Sequence, residues 1–244
     1  MFTKILHRSP AGIRHENKYM LNRGAYEILK RRCAAVMKRD ENSQSDNGYR
    51  VSTLYFEDVY KTAYRDKLGG FLKRKKFRIR AYNLSPERIT LECKYKDGEY
   101  VRKKSALVTL DEYKAALKGD YSFCPTRGDS QILQDFYVSA KTTGLKPAVI
   151  TDYFREAFTA DTGNVRITFD RELSVGMGSH NIFEASYSPV AGFFDDVVLE
   201  IKYDRFLPSH IQELFSGIPL MGEPVSKYVL CFNQILEVNK ICLP

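Results

Sequence analysis

The stretch Asp195-Asp-Val-Val-Leu-Glu-Ile-Lys-Tyr203 predicts how this chain folds. In a β-strand, successive side chains point to opposite faces, so residues two positions apart share a face. The odd-numbered positions from Val197 to Tyr203 are all apolar, whereas Glu200 and Lys202 lie on the opposite face with Val198. The segment is therefore predicted to be a half-buried strand that places a carboxylate beside a lysine.

The same alternation recurs in four other predicted strands. Their charged positions are Glu16 and Lys18, Arg78 and Arg80, Glu92 and Lys94, and Arg166 with Asp170. A solvated outer face of an antiparallel sheet explains such alternation in any single strand. A carboxylate two positions before a lysine recurs at Glu16, Glu92 and Glu200, however. This repetition favours a second interpretation, in which the charged faces line the interior of a barrel.

The predicted fold class is α+β: a closed antiparallel β-barrel of about eight strands, with a charged interior and helices packed outside. Strands are predicted over 14–21, 49–56, 147–160, 165–174 and 195–203, with three more between 72 and 108. Helices are predicted over 22–38, 59–68, 111–117, 130–142, 208–215 and 226–238. Since no repeat or linker divides the chain, residues 1–244 are predicted to form one domain.

The charge balance predicts an anionic ligand. The chain has 38 Lys and Arg against 30 Asp and Glu, a formal net charge of +8. An interior of arginine and lysine is costly when empty, because like charges repel in a partly desolvated space. Arginine binds phosphate oxygens in pairs, and lysine supplies a compact charge. The glutamates acquire a role if Mn²⁺ or Mg²⁺ is present, since these ions take carboxylate and phosphate oxygens together.

Several other partners are not predicted. The basic run Lys73–Lys76 lacks the aromatic stacking motif of RNA-binding modules, so it is interpreted as a solvated strand start or an entry rim, with no nucleic-acid partner. No apolar run is long enough for a transmembrane segment, and any membrane connection is expected through a partner protein in trans. The five widely spaced cysteines form no CxxC pair, which predicts reduced thiols and a cytoplasmic location.

Eight short motifs occur in an order that resembles a known family. They are Glu16-Asn-Lys18-Tyr19, Ser52-Thr-Leu-Tyr-Phe56, Arg78-Ile-Arg80, Glu92-Cys-Lys94, Tyr153-Phe-Arg155, Val165-Arg-Ile167, Leu199-Glu-Ile-Lys202 and Ser226-Lys-Tyr228. With them, the sequence resembles the VTC (vacuolar transporter chaperone) domain of the CYTH or triphosphate tunnel metalloenzyme superfamily, over residues 14–240. The resemblance implies a tunnel that transfers the γ-phosphate of ATP to polyphosphate with Mn²⁺ or Mg²⁺ and releases ADP.

The resemblance also implies roles for individual residues. The residues expected to bind phosphate are Lys18, Arg78, Arg80, Lys94, Lys104, Tyr153, Arg155, Arg166, Lys202 and Lys227. The residues expected to be catalytic are Arg78, Arg80, Lys94, Arg155 and Glu200. The residues expected to bind the metal are Glu200, Glu16 and Glu92. A shift of the alignment by one residue would replace Lys104 with Lys103, and Arg14 stands where the superfamily has the first of two glutamates.

The predicted function is therefore polyphosphate synthesis from ATP by a polyphosphate polymerase-type phosphotransferase. Two alternatives remain. One is an inorganic or nucleoside triphosphatase of the same fold, which would use water as the acceptor and triphosphate as the substrate. The other is a non-catalytic polyphosphate-binding module, against which the carboxylate of Glu200 argues, because binding an anion requires no carboxylate.

Overall fold

The computed structural model describes residues 14–43, 47–98, 100–128, 130–193, 196–220, 222 and 225–241. The strands are β1 (Arg14–Leu21), β2 (Lys38–Arg39), β3 (Tyr49–Glu57), β4 (Lys73–Tyr82), β5 (Ser85–Asp97), β6 (Tyr100–Val108), β7 (Lys146–Ala160), β8 (Val165–Met177), β9 (Ser186–Pro189) and β10 (Val197–Asp204). The helices are α1 (Arg23–Val36), α2 (Thr62–Leu68), α3 (Leu110–Leu117), α4 (Phe123–Thr126), α5 (Gln131–Thr143), α6 (Ser209–Gln212) and α7 (Lys227–Ile241). Short 3-10 turns cover Thr162–Asn164 and Glu213–Phe215.

All of these strands belong to one antiparallel sheet with the order β1-β10-β8-β7-β3-β4-β5-β6, and β2 and β9 pair with β7 and β8. The predicted α+β class is confirmed. The predicted closed barrel is not confirmed, because β1 and β6 form no backbone pairing with each other in the described part of the chain. The two sides of the curved sheet still meet through side chains, since Lys94 Nζ of β5 lies 3.2 Å from Glu16 Oε2 of β1.

The predicted alternation of apolar and charged faces is confirmed. Leu199 and Ile201 of β10 are buried on the outer face, where they pack with Leu29 and Cys33 of α1. The outer face of β3, β4 and β5 packs in the same way against α3, α4 and α5, and Phe136 of α5 is fully buried there. These two apolar layers hold the charged side chains of the same strands on the concave inner face.

One helix departs from the prediction that helices pack outside. α7 lies on the inner face at one end of the sheet, where the ring centroids of Tyr228 and Tyr55 are 4.8 Å apart. Its Cys231 and Phe232 are buried in the same cluster as Val175 of β8. The inner face is apolar at this end, so α7 buries it and leaves the charged part of the inner face beyond its N-terminus.

Boundaries differ from the predictions mainly at turns. α2 begins at Thr62 and not at residue 59, because Lys61 adopts a left-handed conformation with φ of 55°. β8 continues to Met177, and the short strands β2 and β9 were not predicted. The predicted start of the last strand at Asp195 lies outside the described residues, and β10 is described from Val197. None of the described helices combines the length and apolar character needed to cross a membrane.

Candidate functional site

A cavity of about 150 Å³ lies on the inner face, next to the N-terminus of α7. Its charged lining consists of Glu16, Lys18, Lys76, Arg78, Arg80, Lys94, Arg155, Glu200, Lys202 and Lys227. Tyr153 also lines it. The cavity thus brings together most of the predicted site residues, with eight basic side chains against two carboxylates.

The two carboxylates lie on neighbouring strands, and the strand register places each carboxylate opposite a lysine of the other strand. Glu16 of β1 pairs with Lys202 of β10, and Lys18 pairs with Glu200. Lys18 Nζ lies 3.0 Å from Glu16 Oε1 and 3.5 Å from Glu200 Oε1. Lys202 Nζ lies 3.1 Å from Glu200 Oε2. The repeated carboxylate–lysine spacing in antiparallel strands therefore produces a compact patch of alternating charge.

The cations keep both carboxylates ionised. Burial by itself raises the pKa of the Glu200 carboxyl, but the attraction of Lys18 and Lys202 outweighs burial and holds that pKa well below its ordinary value. The pKa of Glu16 is lowered as well, since Lys18 and Lys94 outweigh its burial. For Lys94 and Lys202 burial dominates, and the pKa of each amine is lowered.

A second group is built around Asp170, to which the sequence resemblance assigned no role. Asp170 is buried on β8 and accepts two hydrogen bonds from Arg155, at 2.6 Å from Nε and 2.7 Å from Nη2. Lys227 Nζ lies 2.6 Å from the same carboxylate and 4.9 Å from the Tyr153 ring centroid. These cations lower the pKa of Asp170 to about 2 despite its burial. Its position two residues from Thr168, on the inner face of β8, was the available sequence signal.

Glu92 belongs to a third group of charges and not to the group that contains Glu16 and Glu200, the other two predicted metal ligands. Arg78 lies 2.6 Å from Glu92 Oε2, and Lys103 Nζ lies 2.9 Å from Glu92 Oε1. Arg80 Nη1 lies 3.7 Å from the same carboxylate. Burial is outweighed by these cations, which lower the pKa of Glu92 to about 2. Glu92 therefore holds Arg78 and Arg80, which line the cavity, but does not line the cavity itself as Glu200 does.

Two predicted phosphate-binding residues lie away from the cavity. In the register of β5 and β6, Lys103 pairs with Lys94, so Lys103 faces inward and Lys104 faces outward. Lys104 Nζ accordingly lies 3.0 Å from Asp135 of α5, and the prediction that Lys104 faces the interior is corrected to Lys103. Arg166 lies on the inner face near the other end of the sheet, where it pairs with Asp40 and donates to Tyr49.

Lys76 lines the cavity, although the run Lys73–Lys76 was predicted to be a solvated strand start or an entry rim. Its Nζ lies 4.2 Å from the ring centroid of Tyr228 and 5.4 Å from that of Tyr55. Burial, followed by repulsion from neighbouring cations such as Arg78, holds the pKa of Lys76 well below its ordinary value. Since Lys76 is two residues before Arg78, strand alternation alone was sufficient to predict this position.

The residues present fit a divalent cation only in part. Among the described residues, no group of three or more His, Cys, Asp or Glu side chains is arranged to hold an ion. Glu16 and Glu200, however, are ionised and both contact Lys18. Mg²⁺ and ions like it commonly bind through one or two carboxylates and complete their coordination with water and substrate phosphates. The pair fits that mode of binding, in which the phosphate supplies the missing ligands.

Comparison with known proteins identifies the family. The chain matches the VTC domain over residues 13–236, and it belongs to the VTC domain family. No curated protein sequence matches the chain.

Solved structures show more distant similarity. A protein of Pyrococcus horikoshii OT3 is 12% identical, with a TM-score of 0.48 over 91% of this chain and 99% of its own. A candidate adenylate cyclase of Bacillus halodurans is 14% identical, with a TM-score of 0.46 over 94% of this chain and 91% of its own. Another candidate adenylate cyclase, from Vibrio parahaemolyticus, is 12% identical, with a TM-score of 0.46 over 92% of this chain and 97% of its own.

Proposed function

We propose that this protein transfers the γ-phosphate of ATP to a growing polyphosphate chain, releases ADP, and belongs with the triphosphate tunnel metalloenzymes of the CYTH superfamily. The observation that carries the proposal is the charge of the cavity, where eight basic side chains face two carboxylates in a chain of the VTC domain family. Even when the anchoring carboxylates Glu92 and Asp170 are included, the basic groups remain in excess. A chain of phosphates is a ligand that removes this excess.

The arginines are held ready for a phosphoryl group. Asp170 binds the Nε and Nη2 side of Arg155, and Glu92 binds the Nε and Nη2 side of Arg78. Each guanidinium is thereby fixed along one edge. Arg78 Nη1 also donates one hydrogen bond to the Tyr55 hydroxyl at 3.3 Å, which leaves its second Nη1 N–H, and Nη1 of Arg155, for a ligand. Fixed donors that need no reorientation during the reaction are an effective way to stabilise developing charge. Asp170 and Glu92 are positioning residues in this scheme.

The remaining basic groups, among them Lys18, Lys202 and Lys227, contact the other phosphates, and the Tyr153 hydroxyl contacts a terminal one. Lys227 lies in the first turn of α7, where free backbone N–H groups also attract anions. The acceptor is a phosphate oxygen that is already deprotonated at neutral pH, so no general base is assigned. Phosphoryl transfer then depends on positioning and charge neutralisation.

Glu16 and Glu200 would hold the Mn²⁺ or Mg²⁺ ion together with phosphate oxygens. When bound, the ion offsets negative charge on the oxygens that flank the transferred group. Lys18 contacts both carboxylates, and its ammonium would also bind a phosphate oxygen.

One observation favours a second candidate, a triphosphatase. α7 covers one end of the inner face, with Tyr228 and Phe232 buried. A site that is blocked at one end suits a short substrate with water as the acceptor. A polymer would instead leave past the basic residues Lys67, Arg74 and Lys96. Burial lowers the pKa of the Lys67 amine, and repulsion from Arg74 and Lys96 lowers it further.

The deciding experiment incubates the purified protein with ATP and Mn²⁺ and measures ADP, free phosphate and gel-resolved polyphosphate in the same samples. We expect a polyphosphate ladder and ADP in excess of free phosphate. If free phosphate accounts for all of the ADP, the polymerase proposal is wrong and the triphosphatase is supported. Polyphosphate binding without any ADP formation would identify a non-catalytic binding module.

A further inference from the structure

Large apolar side chains are exposed at both ends of α2. They are Val59, Tyr60, Leu68, Phe71 and Leu72, which are called the α2 patch below. Val59 and Leu72 are 70% exposed and Tyr60 is 71% exposed. These exposed fractions exceed those of all other large apolar side chains in the described residues. Apolar groups concentrated in this way on a surface mark a contact region.

The patch rests on a fixed support and not on a loose loop. On the inner side of α2, the Tyr64 ring stacks on Phe232 of α7, with ring centroids 4.7 Å apart. After α2 the chain reverses at Gly70, whose φ of 67° suits glycine, and the Phe71 N–H donates to the Asp66 carbonyl at 3.0 Å. Leu68 and Phe71 are therefore held outward by structure that is anchored to α7.

The charge around the patch is positive. Residues 57–75 contain six Lys and Arg against Glu57, Asp58 and Asp66, and two of the six, Lys67 and Arg74, belong to the proposed exit from the inner face. The other four, Lys61, Arg65, Lys73 and Lys75, are exposed; Lys73 lies 3.9 Å from Asp97, and Lys75 donates to Ser139. Aromatic and aliphatic side chains set among lysines and arginines are typical of surfaces that bind acidic lipid headgroups.

We propose that the α2 patch docks this protein on an anionic phospholipid membrane surface. The apolar side chains enter the boundary between headgroups and acyl chains, and the surrounding cations pair with the lipid phosphates. Charge argues against a second copy of this chain as the occupant, because a symmetric contact would place the same positive surface against itself. The docking goes beyond the proposed function, which uses the cations of the inner face.

The test is co-sedimentation of the full chain with vesicles of phosphatidylcholine, alone or mixed with phosphatidylglycerol. Saturating tripolyphosphate is added to occupy the cavity cations, so that binding through the inner face does not contribute. We expect binding to the acidic vesicles to exceed binding to phosphatidylcholine by about tenfold or more, and to weaken as salt rises. The double variant Phe71→Ser/Leu72→Ser should lower binding to acidic vesicles by about tenfold or more.

The matched control is Phe206→Ser/Val138→Ser, since these side chains are 57% and 56% exposed and lie outside the α2 patch. The control should bind like the wild type, and circular dichroism and thermal unfolding should show that both variants are folded. Absence of binding to acidic vesicles, or equal binding by the two double variants, would overturn the proposal. A wild type that self-associates and loses self-association in Phe71→Ser/Leu72→Ser would assign the patch to a second copy and would also overturn it.

Discussion

Arg155 and Glu156 are adjacent on β7 and belong to two different buried charge networks. Arg155 faces inward to Asp170 and lies 3.9 Å from Glu200. Glu156 faces outward, is 1% exposed, and accepts hydrogen bonds from Tyr26 and Arg171. The two networks use the same residue types and the same strand, so their difference lies in what surrounds them.

The outer network is balanced and the inner one is not. Lys30 Nζ lies 2.7 Å from Glu156 and Arg171 Nε lies 3.0 Å from it, while Arg171 also pairs with Glu172. Two cations thus match two carboxylates. On the inner face, eight basic groups share the two carboxylates of the cavity lining and the anchors behind it. A balanced network serves the fold, whereas an unbalanced network is complete only with a ligand.

The largest expected effect concerns activity. Glu200→Gln should reduce ATP turnover with Mn²⁺ by about a thousandfold, because it removes a carboxylate from the proposed metal site. Triphosphate affinity should be unchanged or higher, since a negative charge leaves a basic cavity. Steady-state release of ADP and calorimetric titration with triphosphate measure the two quantities.

The control for this variant is Glu156→Gln, which makes the same chemical change on the outer face. It should retain turnover at temperatures below its own unfolding transition. Equal turnover in wild type and Glu200→Gln would remove Glu200 from the mechanism.

The second effect concerns stability. Glu156→Gln should lower the free energy of unfolding by about 3 kcal/mol, because Lys30 and Arg171 lose a buried partner. The pKa of Glu156 is lowered in the folded protein, since its bonds to Lys30 and Tyr26 outweigh burial. Its stabilisation is therefore present above the ordinary value of 4.5 and is lost as the pH falls through the lowered pKa. Urea unfolding of both proteins at neutral and acid pH measures this, and a difference that does not shrink in acid would contradict it.

The third effect distinguishes the two networks by how each contributes to stabilisation by a bound ligand. Tripolyphosphate at about 100 times its Kd should stabilise the wild type by roughly 2.7 kcal/mol, and this gain should fall as salt rises. Glu156→Gln should show the same gain, whereas Arg155→Ala should show much less at the same ligand concentration. Thermal unfolding with and without ligand measures the gain. Indifference of the wild-type Tm to tripolyphosphate would count against the whole site.

The fourth effect compares two adjacent lysines of β6. Lys103→Ala should weaken polyphosphate binding by about 1 to 2 kcal/mol, because Lys103 faces inward and is bound to Glu92. Lys104→Ala should change binding little, because Lys104 contacts Asp135 on the outer face. Fluorescence titration with labelled polyphosphate measures both, and the reverse ranking would mean that the register of β6 is shifted by one residue.

Strand alternation was sufficient to predict the inner face because its period is fixed by geometry. Alternation places Glu16, Lys18 and Glu200 on the inner face, and they meet there because the register of β1 and β10 pairs Glu16 with Lys202 and Lys18 with Glu200. The same rule explains the error at Lys104. A shift of one residue in register exchanges the two faces of a strand, and nothing in a single sequence fixes the register of β6 against β5.

Other features depend on contacts between distant segments. Whether β1 pairs with β6 is decided by the curvature of the whole sheet, which no local pattern specifies. The amphipathic pattern of α7 indicates burial but does not say whether the inner or the outer face is covered. Asp170 was recognised on the inner face but not as the partner of Arg155, because that pairing depends on the register of β7 and β8.

The smallest effect compares Lys75 and Lys76 of β4. Burial, and then repulsion from the cations around Lys76, lower its pKa. Between that lowered pKa and the ordinary value of 10.5, the unfolded chain holds more protons than the folded one, so stability without ligand should rise with pH.

A bound polyanion reverses the repulsion around Lys76, which should raise the pKa of Lys76 and cause proton uptake on binding. Titration calorimetry in two buffers of different ionisation enthalpy, at one mildly alkaline pH, measures the uptake. Lys76→Met should reduce it by up to about one proton, with Lys94 and Lys202 supplying the rest. Lys75→Met should not, because Lys75 donates to Ser139 on the outer face; equal uptake in both variants would mean that Lys76 is already protonated without ligand.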